Sequence, residues 1–135
     1  MSIKITGTGS YLPSRVLTNN QIAENVDTSD EWVKKNLGIE SRRIASENEV
    51  TSDLAYYASL RAINSAGIKV SDIDAIIVAT SSPDRISPST ACILQDKLGA
   101  HGCCAFDINA VCTGFVYGLT LASTMLSNNL SLIHI

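Results

Sequence analysis

DINAVCTGFVYGL, residues 107–119, joins two kinds of pattern. CCAFDI, residues 103–108, reads as a buried strand, and beyond it the spacing of Phe115, Leu119, Ala122, Met125 and Leu126 predicts a helix from Cys112 to about Ser127. Gly114 and Gly118 lie on that helix, where the missing Cβ permits close approach of another backbone. Cys112 is therefore expected at the strand-to-helix junction. There, unpaired amide N–H groups and the positive end of the helix dipole favour a thiolate, and an outward N–H can hold the oxyanion formed when that thiolate attacks a thioester carbonyl. Read from the residues alone, the alternative is a small apolar cysteine packed beneath a helix start, the commoner fate of a buried thiol.

Working outward, IDAIIVATSS at 73–82 is continuously apolar through Ala79, as expected of a strand covered on both faces in a mostly parallel sheet, and Pro83 closes it. Ser87 before Pro88 marks a helix start, with Ala91, Leu94 and Leu98 on one stripe and Gly99 as the stop. TSDLAYYASLRAINSAG at 51–67 predicts a helix capped by Thr51, with Asp53 in its first turn, a small-residue face of Ala55, Ala58, Ala62 and Ala66, and Gly67 as terminator. Helix, strand, helix, strand, helix is an α/β layout. Residues 2–9, SIKITGTG, read as a further strand. Residues 18–38 hold two short helices that look like surface insertions, one capped by Thr18, the other running from Ser29 to Gly38.

The composition fits one domain and excludes several classes of function. The chain has 135 residues, 45% hydrophobic, 17% charged, net charge −3 and pI about 5.2. Without a basic face, nucleic acid is not an expected partner. No run is long enough to span a bilayer and no signal-peptide pattern follows Lys4, so membrane insertion is not expected and the cytoplasm is the expected compartment. All four cysteines, Cys92, Cys103, Cys104 and Cys112, read as free. His101, Cys103 and Cys104 do not make a metal site, because adjacent strand residues point to opposite faces.

DTSDEW at 27–32, LGI at 37–39, VATSSPD at 78–84 and GCCAFDINAVCTGFVYGL at 102–119 resemble, in order and spacing, the N-terminal part of the β-ketoacyl-[acyl-carrier-protein] synthase III family. The resemblance runs from about Ile3 to about Asn128, and Cys112 stands in the family's A-x-C-x-G-F setting. It implies the N-terminal half of a thiolase-like layered α-β-α-β-α fold. It also implies that Cys112 takes an acyl group from an acyl-CoA starter, followed by decarboxylative condensation with malonyl-acyl carrier protein in fatty acid biosynthesis. Both are substrates, so no cofactor is expected.

By the same resemblance Trp32 stacks on the adenine of CoA with Thr28 nearby. Where relatives often carry an Arg toward the CoA phosphates this chain has Asn36, with Lys35 as the candidate replacement. Ser87 stands where many relatives have a Phe bounding the acyl pocket and crossing a homodimer interface. The catalytic His and Asn of the family belong to its C-terminal half, so neither His101 nor His134 is assigned a role, and these 135 residues alone are expected to be inactive in condensation. Related condensing enzymes with polyketide, quinolone or hydroxymethylglutaryl-type products are the alternative, and a noncatalytic remnant or interaction module is another. Residues 1–129 are expected to be the family-like part. LSLIHI, 130–135, resembles the translation of a transposon end used in preparing sequencing libraries and is expected to be a non-native tail.

Overall fold

The computed structural model describes residues 3–128; the tail at 130–135 and His134 lie outside the described residues. Leu12–Glu49 forms one compact unit, and the segment up to Tyr11 together with the chain from Val50 forms a second.

In the smaller unit, β1 (Arg15–Thr18) runs into α1 (Asn19–Ala23), then α2 (Asp30–Leu37) and β2 (Ser41–Ile44), which pairs antiparallel with β1 from Arg15↔Ile44 to Thr18↔Ser41. The sequence reading misses both strands, which are only four residues long, and β2 carries two arginines. It places the caps correctly. Thr18 Oγ1 accepts from Gln21 N while Gln21 Oε1 accepts from Thr18 N, and Ser29 Oγ accepts from Trp32 N at 3.1 Å. The buried Asn19 is the hub: its Nδ2 donates to Asp30 Oδ1 and to Ile39 O, both at 2.8 Å, and its Oδ1 accepts from Arg42 Nη1 at 2.7 Å. One amide thus ties α1 to α2, to the return segment and to β2, with all its partners paired.

In the larger unit, α3 (Thr51–Ala66), β3 (Ala75–Ala79), α4 (Thr90–Leu98), β4 (Cys104–Ile108) and α5 (Gly114–Ser127) follow in the predicted order. β3 and β4 pair in parallel from Ala75↔Cys104 to Ala79↔Ile108. Side chains alternate across this pair. Ile76 is fully buried in a cluster with Ile63 of α3 and Ala91, Leu94 and Leu98 of α4, and Val78 and Ala105 pack against it. Ile77 and Ala79 face α5 instead, where a Cβ on Gly118 would lie 3.9 Å from Ile77 and one on Gly114 only 3.0 Å from Ala79. Helices therefore cover both faces of the pair, which is the layered α/β class expected.

Three local expectations are corrected. Thr51 is not the α3 cap: Val50 holds that position, its N–H bonded to Asp53 Oδ2 at 3.1 Å, while the Thr51 hydroxyl donates to Ser82 O at 2.6 Å. Ser87 is not the α4 cap either: Ser89 accepts from Cys92 N at 3.2 Å, because the chain does not become helical until Thr90. Of residues 2–9, read as a strand, those described, from Ile3, pair with no strand among the described residues. The segment lies instead against α3, where a Cβ on Gly7 would come within 2.6 Å of Ala62 O and Ala66 N, and one on Gly9 would overlap the backbone at Ala58 and Ala62. Arg61 Nη1 donates to Ser10 O, and Tyr11 stacks on Tyr57 at 4.9 Å between ring centroids. The small-residue face of α3 is thus the seat of this segment.

The helix starts are fixed by carboxylates. Asp107 of β4 accepts from Thr90 N at 2.8 Å and Ala91 N at 2.7 Å. Thr90 Oγ1 accepts from Asp84 N, and Asp84 Oδ1 accepts from Ser52 N at 2.9 Å. Replacing Asp107 with Ala leaves two donors at the α4 start without their acceptor and is expected to cost roughly 2–4 kcal/mol, with Asp107→Asn losing less, since unmade bonds to a charged group cost about 1–3 kcal/mol each. Urea unfolding midpoints check the order wild type, Asn, Ala.

Lys97 Nζ contacts both Ser52 Oγ at 2.7 Å and Asp53 Oδ1 at 2.5 Å. The Lys97 amino group, and then the Val50 N–H, hold the Asp53 carboxyl below its ordinary value. A lowered carboxyl stabilises the fold above the usual Asp value, near ~4, and that contribution is lost as pH falls through the lowered folded value. Wild type is therefore expected to be more stable than Asp53→Asn at pH 7, with the gap closing in thermal melts taken below about pH 4. The gap itself is expected to be small, because the pair is about a third exposed.

Candidate functional site

Between the end of β4 and the start of α5 lie five residues, Asn109 to Thr113. The helix expected to begin at Cys112 begins two residues later, and Cys112 occupies the middle of a 3₁₀ turn, Val111–Thr113. Two bonds close the turn: Ala110 O accepts from Thr113 N at 3.0 Å and from Thr113 Oγ1 at 2.7 Å. Val111 has φ +46°, the left-handed region, where a β-branched side chain is strained by about 1–3 kcal/mol. This reversal presents Cys112 as an exposed, free thiol.

Thr113 stands at the N-cap of α5 without a side-chain capping bond, so no side chain of the turn neutralises that helix start. The close fit of Gly114 on Ala79 seats the start of α5 at the carboxyl end of β3. In open α/β sheets ligands bind outside the carboxyl ends of the strands, and the Cys112 turn follows such an end.

Ser87 is exposed, between the fully exposed Ile86 and Pro88, to which it is joined by a cis peptide bond. Relieved of the capping role, its hydroxyl has no hydrogen-bond partner among the described residues.

Thr28, Trp32 and Lys35 belong to the smaller unit. Trp32 is 56% exposed; its backbone is engaged at both ends, N–H to Ser29 Oγ and carbonyl from Asn36 Nδ2 at 2.8 Å, leaving the indole face open. That bond commits the Asn36 side chain to its own helix. Lys34 pairs with Asp30 at 2.8 Å, and this amino group, then the Asn19 amide, lowers the Asp30 carboxyl. Lys35 is exposed and makes no ion pair among the described residues. Thr28 Oγ1 is buried and has no hydrogen-bond partner among the described residues.

His101 lies in an exposed turn before β4. Gln95 Nε2 donates to Cys103 O at 2.6 Å and reaches Cys103 Sγ at 3.3 Å, whereas Cys104 is exposed, so the two thiols diverge as strand neighbours do. Among the described residues no group of three or more His, Cys, Asp or Glu gathers as a metal-binding set, and no helix is long and apolar enough to cross a membrane. Sequence reasoning missed Asn109, Val111 and Asp107 as parts of the site's framework. Only Asp107, a charge inside an apolar strand just ahead of the turn, carried a signal in the residue pattern.

No family model matches the chain. It is 56% identical over 128 residues to the β-ketoacyl-[acyl-carrier-protein] synthase III of Xylella fastidiosa, an alignment covering 95% of this chain and 40% of that protein. The crystal structure of 3-oxoacyl-[acyl-carrier-protein] synthase III from Aquifex aeolicus superposes with a TM-score of 0.90 at 45% identity, over 94% of this chain and 41% of that one. A priming β-ketosynthase from a polyketide biosynthetic pathway superposes with a TM-score of 0.86 at 33% identity, over 90% and 36% respectively. The chain thus spans about two-fifths of the length of the curated relatives it matches. Over that span, in sequence and in its thiolase-like α/β layering, it belongs to the β-ketoacyl-[acyl-carrier-protein] synthase III family.

Proposed function

We propose that the protein is an acyltransferase of the synthase III type, acting in fatty acid biosynthesis, with Cys112 as the acylated nucleophile. The observation that carries this is the exposed Cys112 thiol on a turn forced by the left-handed Val111, beside the uncapped start of α5. In the first step the Cys112 thiolate adds to the carbonyl carbon of an acyl-CoA thioester, and the negative charge moves to the carbonyl oxygen. Collapse of that adduct breaks the bond to the CoA sulfur, which leaves as a thiolate and is protonated, and the acyl group stays on Cys112. Backbone N–H groups at a helix start stabilise such an oxyanion without reorganisation.

In the second step malonyl-acyl carrier protein loses carbon dioxide, and the resulting carbanion attacks the Cys112 thioester. A β-ketoacyl-acyl carrier protein is released and the thiolate regenerated. Residues beyond this chain supply the groups that stabilise the malonyl thioester, so the 135 residues by themselves carry the acyl-accepting part of the cycle only.

Within the smaller unit, the open indole face of Trp32 stacks on the adenine of CoA, Thr28 Oγ1 gains a hydrogen bond from or to the ligand, and Lys35 meets phosphate as a point charge. The free state of all three, next to the engaged Lys34 and Asn36, supports this assignment. Ser87, smaller than an aromatic residue, leaves room in the acyl pocket or at the interface of a homodimer.

Incubation of the full-length protein with acyl-CoA is expected to add one acyl mass to Cys112 and none to Cys112→Ser; an unmodified Cys112 peptide in the digest overturns the assignment. Thr28→Val removes a buried hydroxyl that has no partner in the free protein. It is expected to leave the melting temperature unchanged or raise stability by up to about 1 kcal/mol while weakening CoA binding in calorimetry. A destabilised variant with unchanged CoA affinity contradicts the role.

A further inference from the structure

We propose that the hydrogen bond between the Ser81 and Asn109 side chains is a positioning device for Cys112, an inference that rests on the nucleophilic role assigned above. The ladder between β3 and β4 ends at Ala79↔Ile108, and one more backbone bond, Thr80 N to Ile108 O at 3.0 Å, extends it. The next step is made by side chains, with Ser81 Oγ donating to Asn109 Oδ1 at 3.2 Å. Three residues later the chain reaches Cys112.

The donor stands on a fixed base. Ser82 O accepts from Thr51 Oγ1 at 2.6 Å and Ser82 N donates to Thr80 Oγ1 at 3.1 Å, so both neighbours of Ser81 are tied down. On the acceptor side, Ala110 O receives the two Thr113 bonds and Val111 is left-handed. A strained backbone persists only where its surroundings over-determine it. The Thr113 bonds hold the turn from within; the Ser81–Asn109 bridge holds its entrance from the neighbouring loop. Among the described residues neither bridging side chain hydrogen-bonds the Cys112 thiol, so each acts through the placement of Cys112. Both residues are exposed, so water competes for the bond and the effect is modest.

The test is a double-mutant cycle in the full-length protein, read as the single-turnover rate of Cys112 acylation by acyl-CoA, followed by intact mass. Ser81→Ala and Asn109→Ala are each expected to slow acylation roughly three- to tenfold. The double variant is expected to be no slower than either single one, Ser81→Thr to restore the rate, and melting temperatures to stay near wild type. Wild-type rates in both single variants, or losses that multiply in the double variant, overturn the proposal. Alkylation of Cys112 by iodoacetamide across the same variants reads the same turn without an acyl donor. If wild type accepts no acyl group, the acyltransferase reading falls, while the alkylation cycle still decides whether the bridge positions the thiol.

Discussion

The carboxylate of Asp107 is the point on which the larger unit depends. An α-helix begins with four N–H groups that have no partner inside it, and a negative charge placed there also meets the positive end of the helix dipole. Asp107 answers both needs for α4, taking two of its first amides from a strand position paired with Val78. Thr90, fully buried beside it, passes the connection to Asp84, and Asp84 to Ser52 at the start of α3. Two helix starts are thereby fastened at the carboxyl ends of β3 and β4, and α5 starts at that same end against Ala79. Of these three helix starts, those of α3 and α4 are met by carboxylates, whereas that of α5 has no side-chain capping bond.

Small residues decide how closely the layers meet. Gly114, Gly118 and the buried Ala122 form the inward stripe of α5 at i, i+4 and i+8, and the larger Phe115, Val116 and Tyr117 remain mostly exposed. A helix seated by glycines approaches a strand more closely than one seated by leucines. The same device recurs where Gly7 and Gly9 lie on the alanine face of α3. Here lies the reason residues 2–9 were misread. Alternating Ile3 and Ile5 gave a strand pattern, but pairing is a property of the neighbour, and among the described residues no strand lies beside this segment.

Helices were the most legible part of the fold, since caps and periodicity are written locally: Thr18, Ser29, Gly38, Gly67 and Gly99 end or begin helices where the sequence placed them. β3 and β4 were legible from their apolar runs, although β4 carries Asp107 and is half-buried rather than buried, and β1 and β2 were not, because four residues with arginines give neither alternation nor hydrophobicity. The Ser87 and Thr51 caps failed for a shared reason. A hydroxyl near a helix start signals a cap only within one or two positions, and tertiary acceptors such as Ser82 O compete for it. The position of Cys112 between β4 and α5 was legible from the change of pattern on either side of it. Its turn was not, because a left-handed Val111 opposes local preference.

That opposition bears on how the thiol works. Glycine would adopt φ +46° without strain, yet the chain has valine there, and 74% of its surface is exposed, so core packing does not account for the choice. The left-handed Val111 on one side of Cys112 and the two Thr113 bonds to Ala110 O across it constrain the turn. Exposure and rigidity then coexist in Cys112, although exposed loops usually trade one for the other. The acyl transfer proposed for Cys112 draws on both: access for bulky thioester donors, and a fixed sulfur position that costs no ordering at the moment of attack.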